Sequence, residues 1–241
     1  MKTKIFTFVL LAVALTLSAC GPTTVNQAAP ENIRTLDVSG VGVVYLSPDV
    51  VYINIGVNTQ NANAAEAVAT NKEQTSAVIQ ALKDFGLAEK DIRTTNFSIW
   101  ANQQYDNFGQ STGITTYTVD NTVIVTMRDV DKLGDLLDDA IAAGANNIYS
   151  IQFDVEDKGS ANQEARALAV ENAKAQATDL ADVSGVSLGD IQKISYYESG
   201  ASPYYYGGKG GGGGDAANLA VPIQPGQLAV TVTVNVTYTI K

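Results

Sequence analysis

Few side chains in this sequence could carry covalent or acid–base chemistry, and their spacing narrows the choice. There is no histidine and a single cysteine, Cys20. The commonest general base, the Ser-His-Asp type of triad and most zinc or haem ligand sets are thereby removed. Acids are plentiful, with 25 Asp and Glu against 15 Lys and Arg. In "RDVDKLGDLLDD", Asp129, Asp131 and Asp135 crowd together. A calcium loop needs alternating oxygen ligands, Gly at its sixth position and Glu at its twelfth. Lys132 and Leu133 break that order, and helical spacing sends Asp131, Asp135, Asp138 and Asp139 to a solvent face. Glu164 and Glu171 stand two turns apart beside Arg166 and Lys174, a pattern for surface ion pairs rather than a catalytic pair.

Glycine-rich segments are the other candidates. "YYYGGKGGGGGD", Tyr204 to Asp215, has a lysine inside a glycine run. A phosphate loop, however, runs from a strand into a helix N-terminus and carries Ser or Thr after its lysine. Gly follows Lys209 and a strand pattern comes next, so the segment reads as a tip between strands. "GVG", Gly40 to Gly42, lacks the third glycine and following helix of a dinucleotide fingerprint. It reads as a bulge or close backbone contact in a first hairpin turning at Ser47–Asp49. No catalytic residue, metal ligand or cofactor-binding residue is expected.

Cys20 has a setting of its own. A basic head, Met1 to Lys4, precedes an apolar run, Ile5 to Leu17, and then "LSAC" and Gly21. This resembles a lipobox, which implies cleavage after residue 19, acylation of Cys20 and export. Residues 20–34 then form a polar tether that reaches about 45 Å when extended. Gly21 lacks the Asp that favours inner-membrane retention, so the anchor is expected in an outer membrane facing the periplasm, or at the surface of a host with one membrane. The formal net charge of −10 argues against nucleic acid.

The elements that would position any site come from periodicity. Leu228 to Ile240 alternates strictly, as do Tyr117 to Met127 and Val51 to Val57. Long helices are predicted over 62–85, with Val68, Thr75, Ile79, Leu82 and Phe85 inward, and over 162–183, with Ala165, Leu168, Ala169, Ala173 and Leu180 inward. A shorter helix is predicted over 131–143, capped by Asp129, with Ile141 on its inner face. "FGLAEKDI" (85–92) and "SGVSLGDI" (184–191) recur at an offset of 99. They mark two tandem β-α-β-β-like halves, about 50–127 and 148–240, within a body spanning 35–241. The fold class is α+β, a mainly antiparallel sheet covered on one face by two long helices plus the shorter connecting one.

Aromatics gather at or before the loops of both halves: Trp100, Tyr105 and Phe108 in the first, Tyr204, Tyr205 and Tyr206 in the second. They serve either as contacts or as covers for the sheet ends.

"VSGVGVVYLSPDVVYINIGV", "DIRTTNFSI", "YTVDNTVIVTMRDVDKLGDLLDDAIAAGANNI" and "EARALAVENAKAQATDLADVSGVSLGDI", in this order, resemble the SIMPL-domain family of bacterial envelope proteins. Members often carry Pro-x-Tyr after the "FSI" strand, where this chain has "WANQQY". The resemblance implies an α+β body, export and self-assembly, and carries no agreed catalytic residues. Three function classes follow. The first is a non-enzymatic envelope lipoprotein that forms a homo-oligomer or meets an envelope protein partner. The second is a module binding a small or peptidic ligand on the polar sheet face. The third is a hydrolase using paired carboxylates.

Overall fold

The computed structural model describes residues 33–204 and 223–241. Cys20, Tyr205, Tyr206 and the run Gly207 to Gly214 lie outside the described residues. The elements follow as β1 (Thr35–Leu46), β2 (Val50–Asn61), α1 (Ala64–Asp84), β3 (Ile92–Tyr105), β4 (Ser111–Met127), α2 (Leu133–Ala142), β5 (Asn147–Asp154), α3 (Gly159–Ser184), β6 (Leu188–Tyr204) and β7 (Gln227–Ile240). All strand pairings are antiparallel, in a three-stranded sheet β1-β7-β6 and a four-stranded sheet β3-β4-β2-β5. The α+β class holds, with the antiparallel sheet divided in two and each part backed by one long helix.

The repeat is visible in hydrogen bonds. After α1, the Leu87 N–H donates to Leu82 O and Gly86 N–H to Lys83 O; after α3, Val186 N–H donates to Ala181 O and Gly185 N–H to Asp182 O. The two caps coincide at the 99-residue offset. Gly86 and Gly185 both take positive φ (112° and 67°), the conformation this cap demands. Each cap then delivers the chain into a long edge strand, β3 or β6.

The halves exchange one strand. The strand predicted to open the second half, 148–156, is β5, and it pairs with β2 in the first sheet. Its place beside β7 is taken by β1. The expected hairpin at Ser47–Asp49 is therefore absent: that turn carries the chain from one sheet to the other, because β1 finds its apolar cover on α3 and β2 finds its own on α1.

Two cores result. In the four-stranded half, Val51, Ile53, Ile55 and Val57 of β2 and Val123, Val125 and Met127 of β4 pack under α1 and α2. Each fully buried branched side chain contributes about 1.5–3 kcal/mol. The helix faces differ slightly from expectation. α1 buries Ala67, Asn71, Thr75, Val78 and Leu82, and α2 buries Ala140 while Ile141 is exposed. Asp129 does not cap a helix with its side chain; it binds Lys132 Nζ at 2.6 Å. Asn71, fully buried, donates through Nδ2 to the carbonyls of Val57 (2.8 Å) and Val119 (3.3 Å), tying helix to sheet. Asn71→Ala is expected to cost about 1–3 kcal/mol, read as a lower midpoint in urea with unchanged slope.

The other core uses smaller residues. α3 presents Ala161, Ala165, Ala169, Ala173, Ala177 and Ala181 at every fourth position to β1 and β7. Leu168 and Leu180, expected inward, are exposed on its flanks. The reason is distance. A Cβ at Gly40 would stand 2.1 Å from Ala169 O, and one at Gly42 2.0 Å from Ala165 O. The helix backbone rests directly on β1, and nothing larger than alanine fits between them. "GVG" is the close backbone contact that its sequence allowed.

Candidate functional site

The edges of the two sheets are unequal. β1 is shielded by α3, and its Val41 N–H donates to Asn172 Oδ1 of that helix at 3.0 Å. β5 is only eight residues long and is broken by a register shift at Asn54/Ile55. Shielding, shortness and bulges are the devices that keep a sheet from pairing with another chain. The opposite edges also carry bulges, at Thr94/Asn96 and Gln103/Tyr105 in β3 and at Leu188/Ile191, Ile191/Lys193 and Ser199/Ser202 in β6, but they are longer. β3 and β6 run 14 and 17 residues, with regular registers over Asn96–Gln103 and Lys193–Ser199. Both expose apolar side chains: Phe97 and Ile99 on β3, Ile194, Tyr196 and Tyr197 on β6. Arg166 of α3 reaches over β6, pairing with Glu198 and lying 5.1 Å from the centre of the Tyr196 ring. It thus meets a strand residue in place of the expected partners Glu164 and Glu171.

A second feature lies on the helix-free face of the four-stranded sheet. Asp120, in the centre of β4, is only 5% exposed. Its carboxylate accepts hydrogen bonds from Tyr149 Oη (2.5 Å), Asn96 Nδ2 (2.9 Å) and Thr122 Oγ1 (3.3 Å). All three donors are neutral, and no lysine or arginine forms an ion pair with Asp120 among the described residues. Tyr149 comes from β5, across β2. The register shift re-aims it, and Gly56 makes room, since a Cβ there would stand 2.6 Å from Tyr149 Cε2. Burial, then the bond to Asp120, pushes the Tyr149 hydroxyl above its ordinary range. The ring is still 50% exposed.

The predicted contact aromatics fall in separate places. Trp100 lies within β3 opposite Thr118, on the face that carries Asp120, and is 44% exposed. The segment 101–113, expected from its polar, aromatic-dotted sequence to be a loop of the first half, is mostly strand: the hairpin continues to Tyr105 and resumes at Ser111. Its turn is closed by Asp106 Oδ1, which accepts from the N–H groups of Phe108 and Gln110. Phe108 stands at the tip, 90% exposed. Tyr204 ends β6 in the other sheet, its ring 4.6 Å from that of Tyr45 in an edge-to-face pair. Trp100 and Tyr105 on the one hand and Tyr204 on the other therefore belong to different sheets.

Paired acids do occur, at Arg128. Its guanidinium binds Asp91 at 3.1 Å and Glu156 at 2.9 Å, beside a cleft of about 350 Å³ floored by Phe85, Leu87 and Met127. The Arg128 hydrogen bond pushes the Glu156 carboxyl down, which is opposite to what a general acid needs. With Arg128 engaged by two carboxylates, the cleft offers an anion little free positive charge.

Sequence reasoning did not single out Asp120, Asn96, Gly56 or Tyr149. Two signals were present: a lone acid in the alternating strand "TVDNTVIV", and a lone glycine inside "INIGVN", which marks a bulge or close approach.

Two helix-backed antiparallel sheets, with the same glycine cap after each long helix, define an α+β body. The chain belongs to the SIMPL family, described as a protein of unknown function (DUF541), whose model matches residues 36–238. It is 30% identical over 224 positions to a 26 kDa periplasmic immunogenic protein of Brucella melitensis, covering 90% of this chain and 88% of that protein. It is 32% identical over 195 positions to the uncharacterized protein YggE of Edwardsiella ictaluri, covering 80% of this chain and 81% of the relative. With YggE of Escherichia coli it shares 31% over 196 positions, 81% and 78% of the two chains.

Proposed function

We propose that this chain is an exported, non-enzymatic envelope lipoprotein, held to the membrane through Cys20, that self-assembles by adding β3 or β6 to a strand of another copy. One observation carries the reading: at the free edges of the sheets β1 is shielded by α3 and β5 is short, whereas β3 and β6 are long, keep regular registers over Asn96–Gln103 and Lys193–Ser199, and expose Phe97, Ile99, Ile194, Tyr196 and Tyr197. Edge pairing satisfies backbone groups and buries Phe97, Ile99, Ile194 and Tyr196 in the same step. The periplasmic relative and the basic, apolar and "LSAC" segments before Gly21 support export. Light scattering on the full chain in detergent is expected to give a protein mass of several copies. A single-chain mass at micromolar concentration would overturn assembly.

Anchoring has its own test. Cys20→Ser is expected to move most of the protein from the membrane to the soluble fraction, because the acyl chains supply about 0.8 kcal/mol per buried CH₂. Retention of the serine variant in washed membranes would refute the lipid anchor.

A second reading rests on Asp120. The polar outer face of the four-stranded sheet has no described helix over it, as a ligand-binding face requires.

A further inference from the structure

We propose that Asp120, with Tyr149 and Trp100 beside it, forms a binding site for a primary organic ammonium group. The inference rests on charge. A carboxylate withdrawn from water is ordinarily matched by a cation, since the lost hydration must be replaced. Here the hydrogen-bond donors are a phenol, an amide and a hydroxyl, and the described residues supply no counter-ion. Arg93, on the same face, is opposite Ile124, four residues along β4 from Asp120, and makes no ion pair with it.

The surroundings are built around this acid rather than merely tolerating it. All four strands of the sheet contribute: Asn96 from β3, Asp120 and Thr122 from β4, Gly56 from β2 and Tyr149 from β5. β5 gives up its regular register at Tyr149, and β2 gives up a side chain at Gly56, so that one phenol reaches the carboxylate. Tyr149 lies on a short edge strand and keeps half its surface in water, so it is the donor that can yield to a ligand. Trp100, one pair along on β3, adds a second half-exposed ring, and next to it Asn102 Nδ2 donates to Thr118 Oγ1 at 2.7 Å. The carboxylate attracts an ammonium group through its full charge, and aromatic rings on the same face can add their quadrupole. A neutral ligand would leave the carboxylate without a counter-charge, and an anion would be repelled.

Trp100 is the chain's only tryptophan and lies on this face in β3, so its fluorescence is read at a protein concentration where light scattering shows an unchanged mass on adding ligand. The full chain is titrated with putrescine at constant ionic strength, and with 1,4-butanediol, which has the same carbon chain without charge. A saturable change is expected with putrescine and none with the diol. Asp120→Asn keeps the shape and can satisfy every neighbour, with its Oδ1 accepting from Asn96 and Thr122 and its Nδ2 donating to Tyr149. It is expected to weaken putrescine at least about tenfold while melting at or above the parent temperature, because it removes a charge that no described residue pairs with. Tyr149→Phe should weaken binding less. Absence of saturation in the parent, equal responses to amine and diol, or unchanged binding in Asp120→Asn would each overturn the site. A clear fall in the melting temperature of Asp120→Asn would do so too, by making the carboxylate a structural tie. None of these results bears on edge pairing, which is read from mass.

Discussion

Replacing Gly42 by valine is expected to destabilise the protein by about 3 kcal/mol or more, equivalent to about 6–12 °C in Tm for a chain of this length. A Cβ alone would meet Ala165 O at 2.0 Å, Ala169 N at 2.6 Å and Leu168 Cβ at 2.9 Å. Two of these are helix backbone atoms, which cannot turn aside as a side chain would. The helix would have to lift from β1, opening the alanine seam along Ala161 to Ala181 and uncovering Val38 and Val230 to Val236. Gly40→Val should act alike, against Ala169 O at 2.1 Å and Ala173 N at 2.3 Å. Gly200 is the control: it also lies in a strand, yet a Cβ there meets nothing within 4 Å, and Gly200→Ala should leave Tm nearly unchanged. Thermal melts by circular dichroism decide the matter. A Gly42→Val protein melting with its parent would show that α3 does not rest on β1 as described.

The second large effect concerns assembly. Ile194 and Tyr197 point to opposite faces of β6, and both are exposed in the single chain. Changing both to lysine should leave the fold within about 0.5 kcal/mol of the parent, as exposed substitutions ordinarily do. Pairing with another strand would then bury two lysines where large apolar groups belonged. At about 1.5–3 kcal/mol for each such group, association should weaken about 100-fold or more. Phe97→Lys with Ile99→Lys makes the same change on β3. Light scattering reads the outcome as a fall from several copies toward one. If the four-lysine protein kept the parent mass, the seam would lie elsewhere, whatever the merits of the ammonium site. Charged side chains on an edge are a natural means of preventing sheet growth, so the variants add to the charge that β3 and β6 already carry at Arg93 and Lys193.

Much of this architecture was legible in residue order. Strict alternation in "LAVTVTVNVTYTI" and "VVYINIGV" set the buried faces of β7 and β2 without ambiguity, because a one-residue slip would turn every valine to solvent. Gly86 and Gly185 marked both helix ends, since only glycine readily takes the left-handed cap. The recurrence of glycine cap and Asp-Ile after a long helix marked the helix-cap-strand order that both sheets show. Acids before and along α2 read as solvated, and Asp131, Asp135, Asp138 and Asp139 are exposed.

Partner choice was not legible. Local pattern specifies that a strand needs a neighbour and a cover but does not name them, so the exchange of β1 and β5 between sheets emerged only in three dimensions. Helical faces were misjudged for the same reason. A leucine outranks an alanine in apolar surface, but α3 approaches β1 so closely that alanine packs and Leu168 and Leu180 must stay outside. The Asp120 cluster shows the limit most directly. Its members lie at positions 56, 96, 120, 122 and 149, on four strands, and hydrogen bonds form by distance in space, which chain separation does not encode.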